Sequence, residues 1–165
     1  MSSSIAEVSA KVSQLSKWVS SFGLLLMTGI VVVQVFARYV LNDSPIWAEQ
    51  AALLLMIWYV FIAAAAGVRE GFHIKIVVIA EALPVRLQRW IRLLTQLLVL
   101  LFGLVMAVFG AQLAAATWQH TIPTLGLSRG LAYVPIALSG ILMAGFSAEQ
   151  IFAELRNKEV KKLWS

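Results

Sequence analysis

The 165-residue chain has no cysteine, so disulfides, iron–sulfur clusters and thiolate metal sites are excluded at once. It is also poor in charge. Asp, Glu, Lys and Arg make up 13% of it against 61% hydrophobic residues. A soluble domain carries about 25% charged residues, and half that density cannot cover a water-facing surface. With two histidines in the whole chain, imidazole chemistry has little material to work with. The net charge of +5 invites a nucleic-acid reading, but the basic residues gather at the ends of apolar runs. That distribution marks a membrane surface, so phospholipids, not nucleic acid, are the expected partners.

What is present is apolar length. A bilayer crossing takes about 20 apolar residues. Trp18 to Ala37 and Ala51 to Val68 carry no charge, and Ile46 to Ala48 extend the second run beyond Glu49. Leu93 to Gln119 is a third uncharged run, long enough that it must tilt or protrude, and Gly130 to Ala148 is the fourth. The first is too long for a signal peptide, whose apolar stretch spans about 7–15 residues, and no small-x-small site precedes Arg38, so it is expected to be retained. The reading is one all-α integral membrane domain over 1–165, with spans at about 18–41, 46–68, 90–119 and 130–149. Lys and Arg set its orientation. Lys11 and Lys17, then Arg69, Lys75, Arg86, Arg89 and Arg92, then Arg156, Lys158, Lys161 and Lys162 give eleven on one side; Arg38 and Arg129 give two on the other. Positive charge stays inside, so both termini are expected in the cytoplasm, with the protein in a bacterial inner membrane.

Between the spans, residues 5–17 place Ile5, Val8, Val12 and Leu15 at near-helical spacing, an amphipathic arm expected to lie on the inner surface. The first hairpin turns at Asn42-Asp43-Ser44-Pro45, with Ser44 suited to an N-cap and Pro45 to the first helical position. Trp47 follows at the outer interface. Segment 72–84 is too short to span and too apolar to float free, so we expect an amphipathic in-plane helix after the second span; an extended loop is the alternative. Lys17, Lys75, Arg86, Arg89 and Arg92 are candidate anchors among lipid phosphates. The connection from Thr121 to Arg129 carries turn formers and is expected to dip into the outer interface, and Pro135 should kink or tighten the start of the fourth span.

Lipid tails give helices no hydrophobic reason to associate, so small residues that admit close approach carry weight. Gly103, Ala107, Gly110 and Ala114 form one stripe; Ala137, Gly140, Ala144 and Ala148 form another. Either the stripes pack the four helices on one another, or one of them meets a different membrane protein. Arg38 and Glu49 sit near the outer ends of their spans, eleven residues apart, and an interfacial ion pair is the expected role. No span carries a charge at its centre. His73 and His120 are separated by a bilayer thickness, so one haem cannot bind both, and no acid or histidine pairs with Glu49 as a catalytic dyad would need. No catalytic, substrate or metal site is expected, and no cofactor.

The succession Arg38-Tyr39, Pro45-Ile46-Trp47-Ala48-Glu49, an apolar helix with Trp58 and a small-residue tract, Arg69, His73-Ile74-Lys75, Leu83-Pro84 and Arg86, then Tyr133-Val134-Pro135, resembles the small membrane subunit of TRAP transporters, the DctQ-like family. It departs at Gln50, where a second acid is frequent, and at Val77 or Val78, shortly after the His-Ile pair, where an acid is common. The resemblance implies a non-enzymatic subunit that pairs with a large multi-span permease subunit and a periplasmic substrate-binding protein. Together these would import an organic acid, of the sialic acid or C4-dicarboxylate class, on a sodium gradient. The small subunit would steady the immobile scaffold of an elevator-type partner. A membrane anchor for a redox complex is the alternative reading.

Overall fold

A computed structural model describes residues 2–43, 45–70 and 85–155. Four helices account for nearly all of them: α1 (Ser2–Val40), α2 (Ile46–Glu70), α3 (Val85–Ala116) and α4 (Val134–Leu155), the last preceded by a 3-10 turn, Arg129–Ala132. Each is long and apolar enough to cross a membrane. The expected in-plane helix at 72–84, and Lys75 with it, lies outside the described residues.

The helices form a row. The principal contacts run from α1 to α2, from α2 to α4 and from α4 to α3, which leaves α1 and α3 at the two edges. Burial follows this order: 39% of the most apolar window of the Arg129–Leu155 span is covered by the rest of the chain, against 6% for Glu7–Val40. Leu25, Val32, Phe36, Leu101 and Phe109 are exposed on the edge helices. In a bilayer these faces meet acyl chains or another protein at no hydrophobic cost.

α1 differs from its expected form. It continues unbroken from Ser2 to Val40, 39 residues or ~58 Å, so residues 5–17 are the first turns of one long helix and not a separate surface arm. A second pattern overrides the apolar spacing. Val8 and Leu15 are exposed, whereas Ser13, Ser16 and Ser20 are buried. These serines and Gly23 recur at three- and four-residue intervals, so the small face turns inward and the larger side chains turn out. A Cβ on Gly23 would lie 2.9 Å from the Tyr59 Cβ, which shows how closely α1 and α2 approach. Four hydroxyls in or beside the spans are absorbed locally: Ser16, Thr28, Thr95 and Thr117 each donate to the carbonyl four residues back.

The α3–α4 seam is built by the two Gly/Ala stripes. A Cβ on Gly140 would lie 2.5 Å from the Ala107 amide nitrogen and 2.6 Å from the Gly103 carbonyl oxygen. One on Gly110 would lie 2.8 Å from the Ala137 nitrogen, and one on Gly103 would lie 2.9 Å from the Ala144 nitrogen. Backbone here touches backbone, which only small residues permit. Towards α2, Ala65, Val68, Met143 and Phe146 form a compact core, with Val12 of α1 packed against it.

The hairpin ends close with their own hydrogen bonds. Asn42 adopts the left-handed conformation at φ 53°, and the Asp43 N–H reaches back to the Ala37 carbonyl at 3.2 Å; asparagine tolerates that conformation better than most residues. Pro45 sits just ahead of α2 and its carbonyl accepts from the Ala48 N–H. α3 stops at Ala116, short of the expected 119. The chain then forms a tight loop in which Ile122 N–H donates to the Leu127 carbonyl and Arg129 N–H to that of His120, with Gly126 at φ +66° making the turn. Ser128 Oγ donates to the Trp118 carbonyl and accepts from the Gly130 N–H. Pro135 is buried in the first turn of α4, where its missing N–H removes no helix bond, so it begins the helix instead of kinking it.

Candidate functional site

The polar chemistry gathers at one end of the row, where α1 and α3 begin and α2 and α4 finish. This basal end joins all four helices. Arg69 of α2, with its side chain 3% exposed, stands 3.9 Å from the Glu149 carboxylate of α4 and donates to Ser9 Oγ of α1 at 2.8 Å. Ser9 donates in turn to Glu149. Lys17 of α1 pairs with Glu70 of α2. On α3, Arg92 binds one Glu154 oxygen through Nη2 at 2.9 Å and Nε at 3.2 Å, and Arg89 donates to the Glu154 backbone carbonyl at 3.0 Å. Gln150 binds the end of α2 to α4: its Nε2 donates to the carbonyls of Val68 and Arg69 at 2.9 and 3.2 Å, and its Oε1 accepts from Gln96 of α3. The last carbonyls of a helix have no intrahelical donor, so Gln150 works as a cap supplied from a neighbouring element.

The ion pairs among the described residues all lie at this end, and the expected Arg38–Glu49 pair is not among them. Both residues are exposed at the hairpin end. The reason is rotational. Ala37 and Ala48 are buried, at 8% and 1% exposure, and each charged residue follows its alanine by one position, about 100° further round the helix. Arg38 and Glu49 therefore flank the α1–α2 seam instead of closing it. Trp47 is also exposed. Trp58 is half-buried and donates its Nε1–H to the Leu131 carbonyl at 3.0 Å, which fastens α2 to the 3-10 turn before α4.

The six stripe residues proposed from sequence, Gly103, Ala107, Gly110, Ala137, Gly140 and Ala144, meet one another within the chain. Of the anchors, Lys17, Arg89 and Arg92 stand at the basal end with carboxylate or carbonyl partners in the protein itself, and Arg86 has only its backbone described. Sequence reasoning missed Glu149, Gln150 and Glu154, and it placed Arg69 in the charge count and the family motif without a partner. The signal available was the facing of Arg69-Glu70 by Glu149-Gln150 at the ends of two spans that run the same way. Among the described residues no cluster of His, Asp or Glu could hold a metal ion.

A row of four membrane-length helices, fastened by small-residue seams and one polar end, suits a subunit that packs beside others. Comparison with known proteins decides which. The family "Tripartite ATP-independent periplasmic transporters, DctQ component" matches residues 27–157. The chain belongs to this family. DctQ proteins are the small permease subunits of TRAP transporters, not enzymes, and the family associates with large permease subunits. Similar proteins include the sialic acid TRAP transporter small permease protein SiaQ of Vibrio cholerae, 26% identical over 77% of this chain and 75% of that protein. The ectoine small permease protein TeaB of Halomonas elongata is 24% identical over 93% and 79%. The isethionate TRAP transporter permease protein DctMQ of Oleidesulfovibrio alaskensis is 25% identical over 81% of this chain but 22% of its own length, so a DctQ-like segment forms part of a larger permease there. These relatives lend no support to a redox-complex anchor. The chain is a multi-pass inner-membrane protein.

Proposed function

We propose that this DctQ protein is the scaffold subunit of a sodium-coupled, binding-protein-dependent transporter that imports an organic acid of the sialic acid or C4-dicarboxylate class. The observation that carries the reading is the DctQ match over residues 27–157, joined to an architecture whose ion pairs, among the described residues, lie at the basal end and whose α3–α4 seam is held by small residues. Such a row is stiff along its seams and apolar on its faces, which fits a part that braces a moving partner. Substrate and ions then belong to the large subunit, and delivery to a periplasmic binding protein. The relatives named for sialic acid, ectoine and isethionate differ in cargo, and an acid is favoured here by the resemblance to the sialic acid subunit. The positive-inside bias places the basal end in the cytoplasm.

The test is reconstitution. Liposomes holding this chain, its large subunit and the binding protein should take up the acid only with an inward sodium gradient. Uptake of equal rate without this chain would refute the bracing role.

A further inference from the structure

We propose that the basal end of the α3–α4 seam binds the headgroup of a zwitterionic aminophospholipid. The starting point is Gln96, 6% exposed. Its orientation is dictated by its neighbour. Gln150 must turn its NH2 towards the Val68 and Arg69 carbonyls, so it presents Oε1 to Gln96, and Gln96 must answer with Nε2. Gln96 Oε1 is then left buried with no hydrogen-bond partner among the described residues. A buried acceptor in that state calls for a further donor.

Next to it lies a cavity of about 60 Å³ lined by Arg92, Leu93, Gln96, Gln150 and Glu154. Two more features give this cavity a charge pattern. Glu154 spends one carboxylate oxygen on Arg92, and at 30% side-chain exposure it remains open to a ligand. Arg92 is 40% exposed, and Arg89 is held beside it by its bond to the Glu154 carbonyl. The site thus holds two acceptors, the part-exposed Glu154 carboxylate and the covered Gln96 Oε1, beside two guanidinium groups. An ammonium group satisfies the first pair and a phosphate the second. A headgroup that carries both, a few bonds apart, matches the arrangement. The apolar remainder of such a ligand has a surface to follow, since Trp90, Leu94 and Leu97 are exposed along α3. Its headgroup would also tie α3 to α4 at the depth where a bilayer places phosphates.

Methylation of the amine gives a discriminating probe, because a trimethylammonium has the charge but no N–H to donate. The purified full chain, released from detergent for native mass spectrometry after exposure to equal amounts of phosphatidylethanolamine, phosphatidylcholine and phosphatidylglycerol, should retain one phosphatidylethanolamine in preference to the others. The preference over phosphatidylcholine should be roughly tenfold, the effect of one charge-assisted hydrogen bond. Glu154→Gln and Gln96→Leu should each flatten it. If the wild-type chain retains the first two lipids equally, or phosphatidylglycerol at least as well, the assignment falls. It falls also if Glu154→Gln keeps the wild-type preference; that substitution sits at a part-exposed helix end, so the test does not depend on whether Gln96→Leu folds.

Discussion

At the scale of single residues, the firmest consequence concerns glycine. A methyl group on Gly140 would sit 2.5 Å from the Ala107 backbone nitrogen of α3, well inside contact distance, so the α3–α4 seam must open to admit it. Gly140→Ala should lower stability by about 1–3 kcal/mol, the usual result of overpacking, read as a lower unfolding temperature in detergent. Gly145, five residues on, has nothing within 4 Å of its would-be Cβ. Gly145→Ala should hold or raise that temperature, because alanine is favoured in a helix interior by about 1 kcal/mol. The seam was legible in the sequence because glycine and alanine at three- and four-residue spacing stand out among Leu and Val. The matching stripe of Ser13, Ser16 and Ser20 on α1 was not, since the arm was read from Ile5, Val8, Val12 and Leu15, and serine was not counted among the small residues. Their small size, not their polarity, put them inside. Arg38 and Glu49 misled in a related way: equal depth suggested a pair, but each lies a third of a turn past a buried alanine. Both exposed side chains are therefore expected to contact the large subunit separately. Arg38→Glu and Glu49→Arg should each weaken its co-purification, and the double reversal should recover nothing; recovery would restore the pair.

At the scale of elements, the basal end is where four helices are locked into one body. Removing Arg69 strands the Glu149 carboxylate in a site where both side chains are nearly covered, at 3% and 12% exposure. Breaking one side of such a pair costs roughly 3–5 kcal/mol. Arg69→Leu should accordingly unfold far more readily than the parent in chemical denaturation, and Glu149→Leu added to it should regain part of the loss. Lys17→Ala, at a pair with 31% exposure on the lysine side, should change stability by no more than ~1 kcal/mol. If Lys17→Ala proves as damaging as Arg69→Leu, burial is not what sets the strength of this network. Its basic residues were read from the sequence as a count for membrane orientation, as lipid anchors and, for Arg69, as part of the family motif, and none was given a carboxylate partner. A residue tally cannot show that Arg69 turns into the protein while Arg38 turns out. α2 keeps close to its apolar run, α3 and α4 are displaced from the expected spans by three to six residues at each end, and the fusion of residues 5–17 to the first span escaped because nothing breaks the helix at Lys17. No proline or glycine stands between Ser2 and Phe22, and without one an amphipathic arm has no physical reason to end where the membrane begins.

At the scale of the whole molecule, orientation and dependence on a partner are the two properties still to be tested together. Among the described residues, Lys11, Lys17, Arg69, Arg86, Arg89 and Arg92 lie towards the basal side and Arg38 and Arg129 towards the hairpin side. The bias is strong enough that each span should insert without ambiguity. Reporters fused before Ser2 or after Ser165 should be active only in the cytoplasm, and one inserted near Leu125, in the loop after α3, only in the periplasm; a periplasmic C-terminal signal would overturn the four-span arrangement. That topology has a mechanical corollary. A row, unlike a closed bundle, leaves both edge helices with long apolar faces, and α1 is far less covered than α4 at the centre. The seams hold each helix to its neighbour, and the basal network stops the row from splaying, so what remains for a partner is a broad, stiff wall. If bracing is the role of that wall, loosening it should impair transport without touching the site where substrate binds. Gly140→Ala in the reconstituted transporter should therefore lower the maximal uptake rate while leaving the substrate concentration for half-maximal uptake close to the parent's. A variant that weakened apparent affinity and left the maximal rate intact would place this subunit at the substrate path instead, and the bracing role would have to be abandoned.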